Sequence, residues 1–359
     1  MRAVASGKRR AVVLANGSEG EPASHKDELL MASAPHLVLD GAQLAAAAVG
    51  ADQVVCGVVF HTGKARRSML RAAAERFSAE PGGASIRVID VPPLYVAGEE
   101  RSLVNLANGG PAIPTSGPRP FERGIGGRPT LVQNVETLVH LALINRSGPE
   151  WFRQVGTDDA PGTTLVTLSG AVAAPGVYEI ALGTPLPDLL RSAGVTPQGV
   201  GGVLVGGYSG TWLTPEDAQV ARLDHRGMAE VGGILGCSAV AVLPEGACGL
   251  TETAAVMRWL AGQTAGQCGP CVHGLAAIAG ASATLASGAK DDRLLPRLER
   301  WAGDVEGRGA CRYPDGAVRL LRSALLAFEA DAKHHAAGRS CPGARWPAIL
   351  PCPDVGRVA

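Results

Sequence analysis

The stretch AVVLANGSEGEP, residues 11–22, decides the fold of the first part of this chain. Five apolar residues stop at Asn16 and give way to small and acidic ones. That is the pattern of a buried parallel strand whose carboxyl end opens into a loop. Working outward, residues 53–60 (QVVCGVVF) and 86–91 (IRVIDV) read as two more strands. Between them lie an alanine-rich helix at 37–51 and an amphipathic helix at 66–77, with Met69, Leu70 and Ala73 expected inward. A helix at 134–144 places Val135, Leu138, Leu141 and Ala142 at three-to-four spacing. Alternation of this kind predicts an α/β layer, a parallel sheet covered by helices on both faces.

The period then changes. Residues 145–162 are polar and rich in Gly and Pro, which predicts a linker. Short strands at 164–169, 176–180 and 202–205, with a helix at 187–192, predict a small β-rich unit lasting to about Leu243. From Thr251 the pattern is helical. Leu321, Leu325 and Phe328 share a face of a long last helix, with Pro314 and Asp315 in its first turn. Four prolines in residues 338–359 predict an irregular tail.

Composition excludes several classes. The 359 residues carry 33 basic and 33 acidic side chains, with 46% hydrophobic and 18% charged residues. That is enough apolar material for packed cores, so disorder is excluded, and a neutral balance argues against nucleic-acid binding. The longest weakly polar run, residues 35–54, contains Asp40 and several glycines, so no membrane insertion is expected. No apolar segment follows the basic residues of MRAVASGKRR, so no secretory signal is read and a cytoplasmic protein is expected. Eight cysteines in such a chain predict thiols or metal ligands rather than disulfides.

Three segments carry chemistry. Residues 16–22 follow the first strand; they suit either a solvated turn or the ligand crevice that polar residues at strand carboxyl ends line in a doubly wound sheet. Gly98-Glu99-Glu100 follows the third strand and Tyr95 in the same topological place; it also suits a helix start. Asn134 precedes an apolar helix as an N-cap, and helix N-termini bind phosphates. Elsewhere, Cys56 reads as a core residue, Cys237 and Cys248 as packing around an apolar strand or as a pair facing each other, and Cys341 and Cys352 as tail residues without a motif. His334 and His335 read as a solvated helix end.

Five stretches, in order, resemble one family: residues 16–51, 93–110, 126–138, 175–190 and 265–274. They are similar to the flavoprotein subunit of respiratory complex I, the NADH-oxidising subunit with FMN and a 4Fe–4S cluster, and to related diaphorase subunits. The resemblance implies a Rossmann-like FMN/NADH domain at 1–148, a β-grasp (soluble-ligand-binding) domain at 162–245, a helical iron–sulfur bundle at 250–337 and a tail at 338–359. It implies electron transfer from NADH through FMN and the cluster to a ferredoxin-like or quinone-linked redox partner. Asn16, Ser18, Glu19 and Glu21 match the family's Asn-Ala-Asp-Glu-Ser-Glu-Pro segment, with Ser18 in place of an Asp. Tyr95, Gly98, Glu99 and Glu100 match the segment lining flavin and nicotinamide, and the two glutamates are expected to orient the nicotinamide. Gln133 and Asn134, with Thr137, match residues near the flavin phosphate. Cys268, Cys271 and Cys311 match three cluster cysteines.

Two departures accompany these matches. The family's loop Gly-Arg-Gly-Gly-Ala-Gly-Phe-Pro-Thr-Gly has no counterpart, and residues 2–7 align just after it. The resemblance therefore implies a translation start further upstream, or else severely weakened FMN and NADH binding. Ala265 stands where the first cluster Cys is expected. Three thiols leave a 4Fe–4S cube with one exchangeable iron, a 3Fe–4S cluster, His273 as substitute ligand, or no cluster. Cys268, Cys271, His273 and Cys311 also form a Cys₃His set suited to zinc. The competing expectation is a non-catalytic scaffold that docks a redox partner.

Overall fold

The structure, a computed structural model, describes residues 1–6, 10–79 and 83–353. Gly7 of the 2–7 stretch and the last six residues of the tail lie outside the described residues. The chain forms two compact units, one of residues 1–20 and 25–154, the other of residues 21–24 and 155–359.

The first unit is a four-stranded parallel sheet of β1 (Ala11–Gly17), β2 (Ala51–Val59), β3 (Ser85–Val91) and β4 (Thr130–Asn134), in the order β3-β2-β1-β4. Val12, Val13 and Leu14 are fully buried because β1 has covered neighbours on both faces. Each such side chain contributes roughly 1.5–3 kcal/mol by leaving water. Val13 and Ala15 point to a core built from the Lys26–Ser33, Pro35–Val49, Gly63–Ala79 and Val135–Ser147 helices. Val12 and Leu14 point to the other face, covered by Leu103 and Val104 of the Glu100–Ala107 helix. At the core helix Pro35–Val49, Gly41 lies so close to Leu138 that a Cβ would fall 1.8 Å from its carbonyl oxygen. Only glycine permits that contact of two helix backbones, which fixes the helix following β4.

The helix spanning Gly63–Ala79 buries Ala65, Met69 and Ala72, whereas Leu70 is 40% exposed. The inward face is thus rotated by one position from the expected one, because alanines pack closely enough against the sheet to supply it. The chain reverses its direction of travel across the sheet between β3 and β4. This puts a topological switch point between β1 and β4, where doubly wound sheets open a ligand crevice at the strand carboxyl ends.

The second unit holds a five-stranded mixed sheet: β5 (Thr163–Gly170), β6 (Gly176–Ala181), β7 (Val200–Val205), β8 (Thr211–Leu213) and β9 (Ala239–Pro244), in the order β6-β5-β9-β7-β8. Its first and last strands, β5 and β9, are parallel neighbours and the other pairs are antiparallel, with the Leu186–Ser192 helix in the core. This is a β-grasp arrangement. Helices follow at Gly249–Gly262, Ala276–Ala286, Leu294–Val305, Tyr313–Ala327 and Glu329–Ala336. The edge strand β8 is covered: Trp212 N–H donates to Ser323 Oγ at 3.0 Å and its indole N–H to Thr253 Oγ1 at 3.0 Å. No helix among the described residues is long and apolar enough to cross a membrane.

The tail is irregular but fastened. Glu252 accepts hydrogen bonds from the N–H groups of Ile349 and Leu350, and Trp259 Nε1 donates to the Pro353 carbonyl at 2.8 Å. Tyr208 donates its hydroxyl proton to the Pro351 carbonyl. The helix end expected to be solvated at His334 and His335 is so only in part: His334 is half-buried, whereas His335 is fully buried. The tail folds back over that end and removes it from water.

Candidate functional site

The switch point is polar. Asn16 and Asn134, the last side chains of β1 and β4, are register partners across the sheet. Asn16 Nδ2 donates to the Gly98 carbonyl at 3.0 Å, and its Oδ1 accepts the Ser18 N–H at 3.0 Å. One amide thereby ties the loop after β1 to the loop after β3. Gly98 makes this approach feasible, because a Cβ there would stand 2.9 Å from the Ser18 carbonyl oxygen. Ser18 Oγ is buried without a hydrogen-bond partner, a polar atom at the crevice lining that a bound polar group can satisfy.

Asn134 caps the Val135–Ser147 helix, its Oδ1 accepting the Glu136 N–H at 2.9 Å. Its Nδ2 donates to the Asn16 carbonyl at 3.3 Å and to Asp27 Oδ2 at 2.7 Å. Behind it, Lys26 Nζ lies 2.6 Å from Asp27, 3.0 Å from Glu136 and 3.1 Å from Asn134 Oδ1. Burial disfavours the Lys26 ammonium, but Asp27 and Glu136 more than reverse this and hold its pKa above the ordinary lysine value. Burial pushes Asp27 up to about 6 against the pull of Lys26. Glu19 accepts the N–H groups of Asp27 and Glu28 and so caps the helix carrying Lys26. Lys26 and Asp27 are absent from the residues expected from sequence. Their only signal is a lysine, one of five in the chain, beside an acid in a polar turn.

Glu99 is the N-cap of the Glu100–Ala107 helix, its Oε2 accepting the N–H groups of Arg101 and Ser102 at 2.8 and 3.0 Å. Burial raises its pKa above the ordinary glutamate value, against those two donors. Glu100 is exposed, Tyr95 and Gln133 are half-buried, and Thr137 is exposed on the first turn after Asn134. Glu21 belongs to the second unit, where its carboxylate accepts the Tyr208 N–H at 2.7 Å and the Ala23 N–H at 3.2 Å. The structure therefore gathers Asn16, Ser18, Glu19, Gly98, Glu99 and Asn134 around the crevice of one unit and leaves Glu21 outside that network.

Cys268, Cys271 and Cys311 are neighbours in the second unit. Burial opposes a Cys268 thiolate, yet the Ala310 and Cys271 N–H groups and the Cys271 thiol outweigh it and hold its pKa below the ordinary cysteine value. Burial and the adjacent Cys268 and Cys311 sulfurs push Cys271 up to about 12. Cys271 lies in a π-helical segment, Pro270–Leu275, a form that recurs at functional sites. His273 is exposed and Ala265 half-buried. All eight cysteines are free thiols. Among the described residues, the group of Cys, His, Asp or Glu ligand atoms lying within 4.8 Å of one another is a different one, Cys248, His335 and Cys341.

A doubly wound sheet, a β-grasp sheet and thiol-bearing helices in one chain make a multi-unit α/β class of protein, whose function its relatives indicate. Residues 2–143 match the Nuo51 FMN-binding domain, and residues 251–335 match the NADH-ubiquinone oxidoreductase-F iron–sulfur binding region. The chain is 30% identical over 342 residues to NADH-quinone oxidoreductase-F 2 of Rhizobium meliloti (strain 1021), covering 91% of this chain and 80% of that protein. It is 31% identical over 345 residues to NADH-quinone oxidoreductase-F of Mycobacterium tuberculosis (strain ATCC 25618 / H37Rv), covering 92% and 77%. Among solved structures, an NAD⁺-reducing [NiFe]-hydrogenase in the H₂-reduced state superposes with a TM-score of 0.86 at 28% identity. That match covers 94% of this chain, which spans 58% of the hydrogenase chain. The chain belongs to the NADH-quinone oxidoreductase-F family, the flavoprotein subunits of complex I.

Proposed function

We propose that this chain takes electrons from NADH at FMN held in the β1/β4 crevice and passes them through an iron–sulfur cluster to a redox partner. The observation that carries the reading is the Asn16–Asn134 pair at the switch point of a unit that matches the FMN-binding domain. FMN, when bound, supplies the conversion of a two-electron donor into one-electron steps. Asn16 holds the two crevice loops together, Gly98 lets backbone approach the ligand, and Ser18 offers its unpartnered hydroxyl. Asn134, braced by Lys26 and Asp27, caps the helix whose first turn, together with Gln133 and Thr137, would hold the flavin phosphate. Tyr95, Glu99 and Glu100 line the nicotinamide side, where the glutamates orient the ring; hydride transfer itself needs no proton-transfer residue. Glu19 acts by fixing the helix that carries Lys26.

Cys268, Cys271 and Cys311 would hold three irons of the cluster, and Ala265 leaves a fourth without a thiolate from that position. The boundaries at 1–148, 162–245, 250–337 and 338–359 are the proposed division of labour. Eight cysteines read as thiols or metal ligands support a cytoplasmic setting for the chain. The partner is a ferredoxin-like or quinone-linked redox subunit.

The test is NADH turnover with an artificial one-electron acceptor, together with flavin and iron content of anaerobically purified protein. Asn16→Ala is expected to lower flavin retention at least tenfold, and Glu99→Gln/Glu100→Gln to lower turnover while flavin stays bound. Protein that carries neither flavin nor iron would mark the chain as a scaffold.

A further inference from the structure

We propose that Cys248, His335 and Cys341 form a second metal site, which takes a single zinc ion and fastens the C-terminal segment to the helical bundle. The three residues come from separate parts of the chain. Cys248 is the N-cap of the Gly249–Gly262 helix, His335 lies near the end of the Glu329–Ala336 helix, and Cys341 follows that end. Their ligand atoms all lie within 4.8 Å of one another, and Cys248 Sγ is 3.9 Å from His335 Nε2. In a tetrahedral site with Zn–S of about 2.3 Å and Zn–N of about 2.0 Å, neighbouring ligand atoms sit roughly 3.6–3.8 Å apart. Cys248 Sγ and His335 Nε2 thus need to close by only a few tenths of an ångström, and no pair by more than about 1 Å.

The imidazole is oriented as a ligand. His335 is fully buried, and its Nδ1 faces the Leu285 carbonyl at 3.0 Å. A carbonyl only accepts, so Nδ1 carries the proton and Nε2 is the accepting nitrogen, with the Cys248 sulfur 3.9 Å away, the tautomer that a carbonyl behind the ring imposes on metal-binding histidines. Nε2 accepts the Cys341 N–H at 3.0 Å, a bond that the ion replaces. A bound cation takes both sulfurs as thiolates and displaces their protons. Asp331, facing Cys341, adds negative charge that favours a cation. Two thiolates and an imidazole suit zinc better than calcium or magnesium, and half-exposed Cys341 leaves the fourth position to water.

Metal analysis of the full chain tests this independently of the flavin and the iron. Zinc at about one per chain is expected in addition to iron, from a site of this ligand set. Cys341→Ser, a change in the tail, should abolish zinc while flavin and iron contents stay at wild-type levels; Cys268→Ser should lower iron and leave zinc in place. Cobalt(II) loaded instead of zinc should show thiolate charge-transfer absorption that disappears in Cys248→Ser and in Cys341→Ser. Wild-type protein without zinc or a cobalt–thiolate spectrum would overturn the proposal. So would zinc retained in Cys341→Ser, or a Cys248–Cys341 disulfide found in protein purified under reducing conditions.

Discussion

Replacing Lys26 with Met tests the bracing of the crevice. Met keeps the length of the side-chain stem but removes a charge whose neighbours are buried: side-chain exposures are 9% for Lys26, 7% for Asp27 and 13% for Glu136. At about 3 Å and an effective dielectric near 20, each attraction is roughly 5–6 kcal/mol gross, most of which offsets desolvation. Removing one partner of such a network leaves uncompensated buried charge and costs about 3–5 kcal/mol. For a unit of this size the loss is on the order of 10 °C in melting temperature. The effect depends on pH with a definite sign. Burial raises Asp27 from 3.8 to about 6, so this group's stabilising contribution is full below the lower value and lost as pH rises through the upper one. Lys26→Met removes the opposing attraction and raises Asp27 further. The melting loss should therefore be larger at pH 8 than at pH 5, and flavin retention should fall with it because Asn134 loses its Lys26 brace. Scanning calorimetry at both pH values reads this directly. The triple change Lys26→Met/Asp27→Asn/Glu136→Gln should recover much of the loss, since no buried charge remains. An unchanged melting temperature at pH 8, or equal losses at both pH values, would refute the reasoning.

Other consequences follow from single contacts. Gly41→Ala forces the backbones of two core helices apart at Leu138 and should destabilise the first unit by about 1–3 kcal/mol, read as a lower calorimetric transition. Glu99→Ala removes a two-donor N-cap and should cost about 1 kcal/mol. Because burial raises the pKa of Glu99, that group's own contribution falls as pH rises through its folded-state value, so the Glu99→Ala deficit should be greatest in acid. After iron is removed under reducing conditions, iodoacetamide should alkylate Cys268 at lower pH than Cys271, as peptide mapping would show.

Much of the first sheet is legible in the sequence because β1 and residues 54–59 of β2 are continuous apolar runs, the mark of strands buried on both faces, whereas the edge strand β3 alternates and buries only Val91. The fourth strand is not legible. Residues 130–134 (TLVQN) offer three apolar or β-branched positions and run straight into a helix cap, so hydrophobic period assigns Asn134 to the helix alone. Yet β4 creates the switch point and sets Asn134 opposite Asn16. The crevice residues can be named from local motif, whereas Lys26 and Asp27 look like a solvated turn until tertiary packing buries them. The Cys248–His335–Cys341 group is invisible in sequence for a similar reason. Its members read as core packing, a solvated helix end and a featureless tail, and only the folded tail closes them together.

Flavin and iron–sulfur chemistry sharing one chain is the central claim, and anaerobic titration with NADH, followed by absorbance and electron paramagnetic resonance, tests it most directly. Bleaching of a bound flavin accompanied by an iron–sulfur signal, with the signal absent in Cys268→Ser, is the predicted result. A chain that binds no flavin, or whose flavin is reduced while iron stays silent, would contradict it.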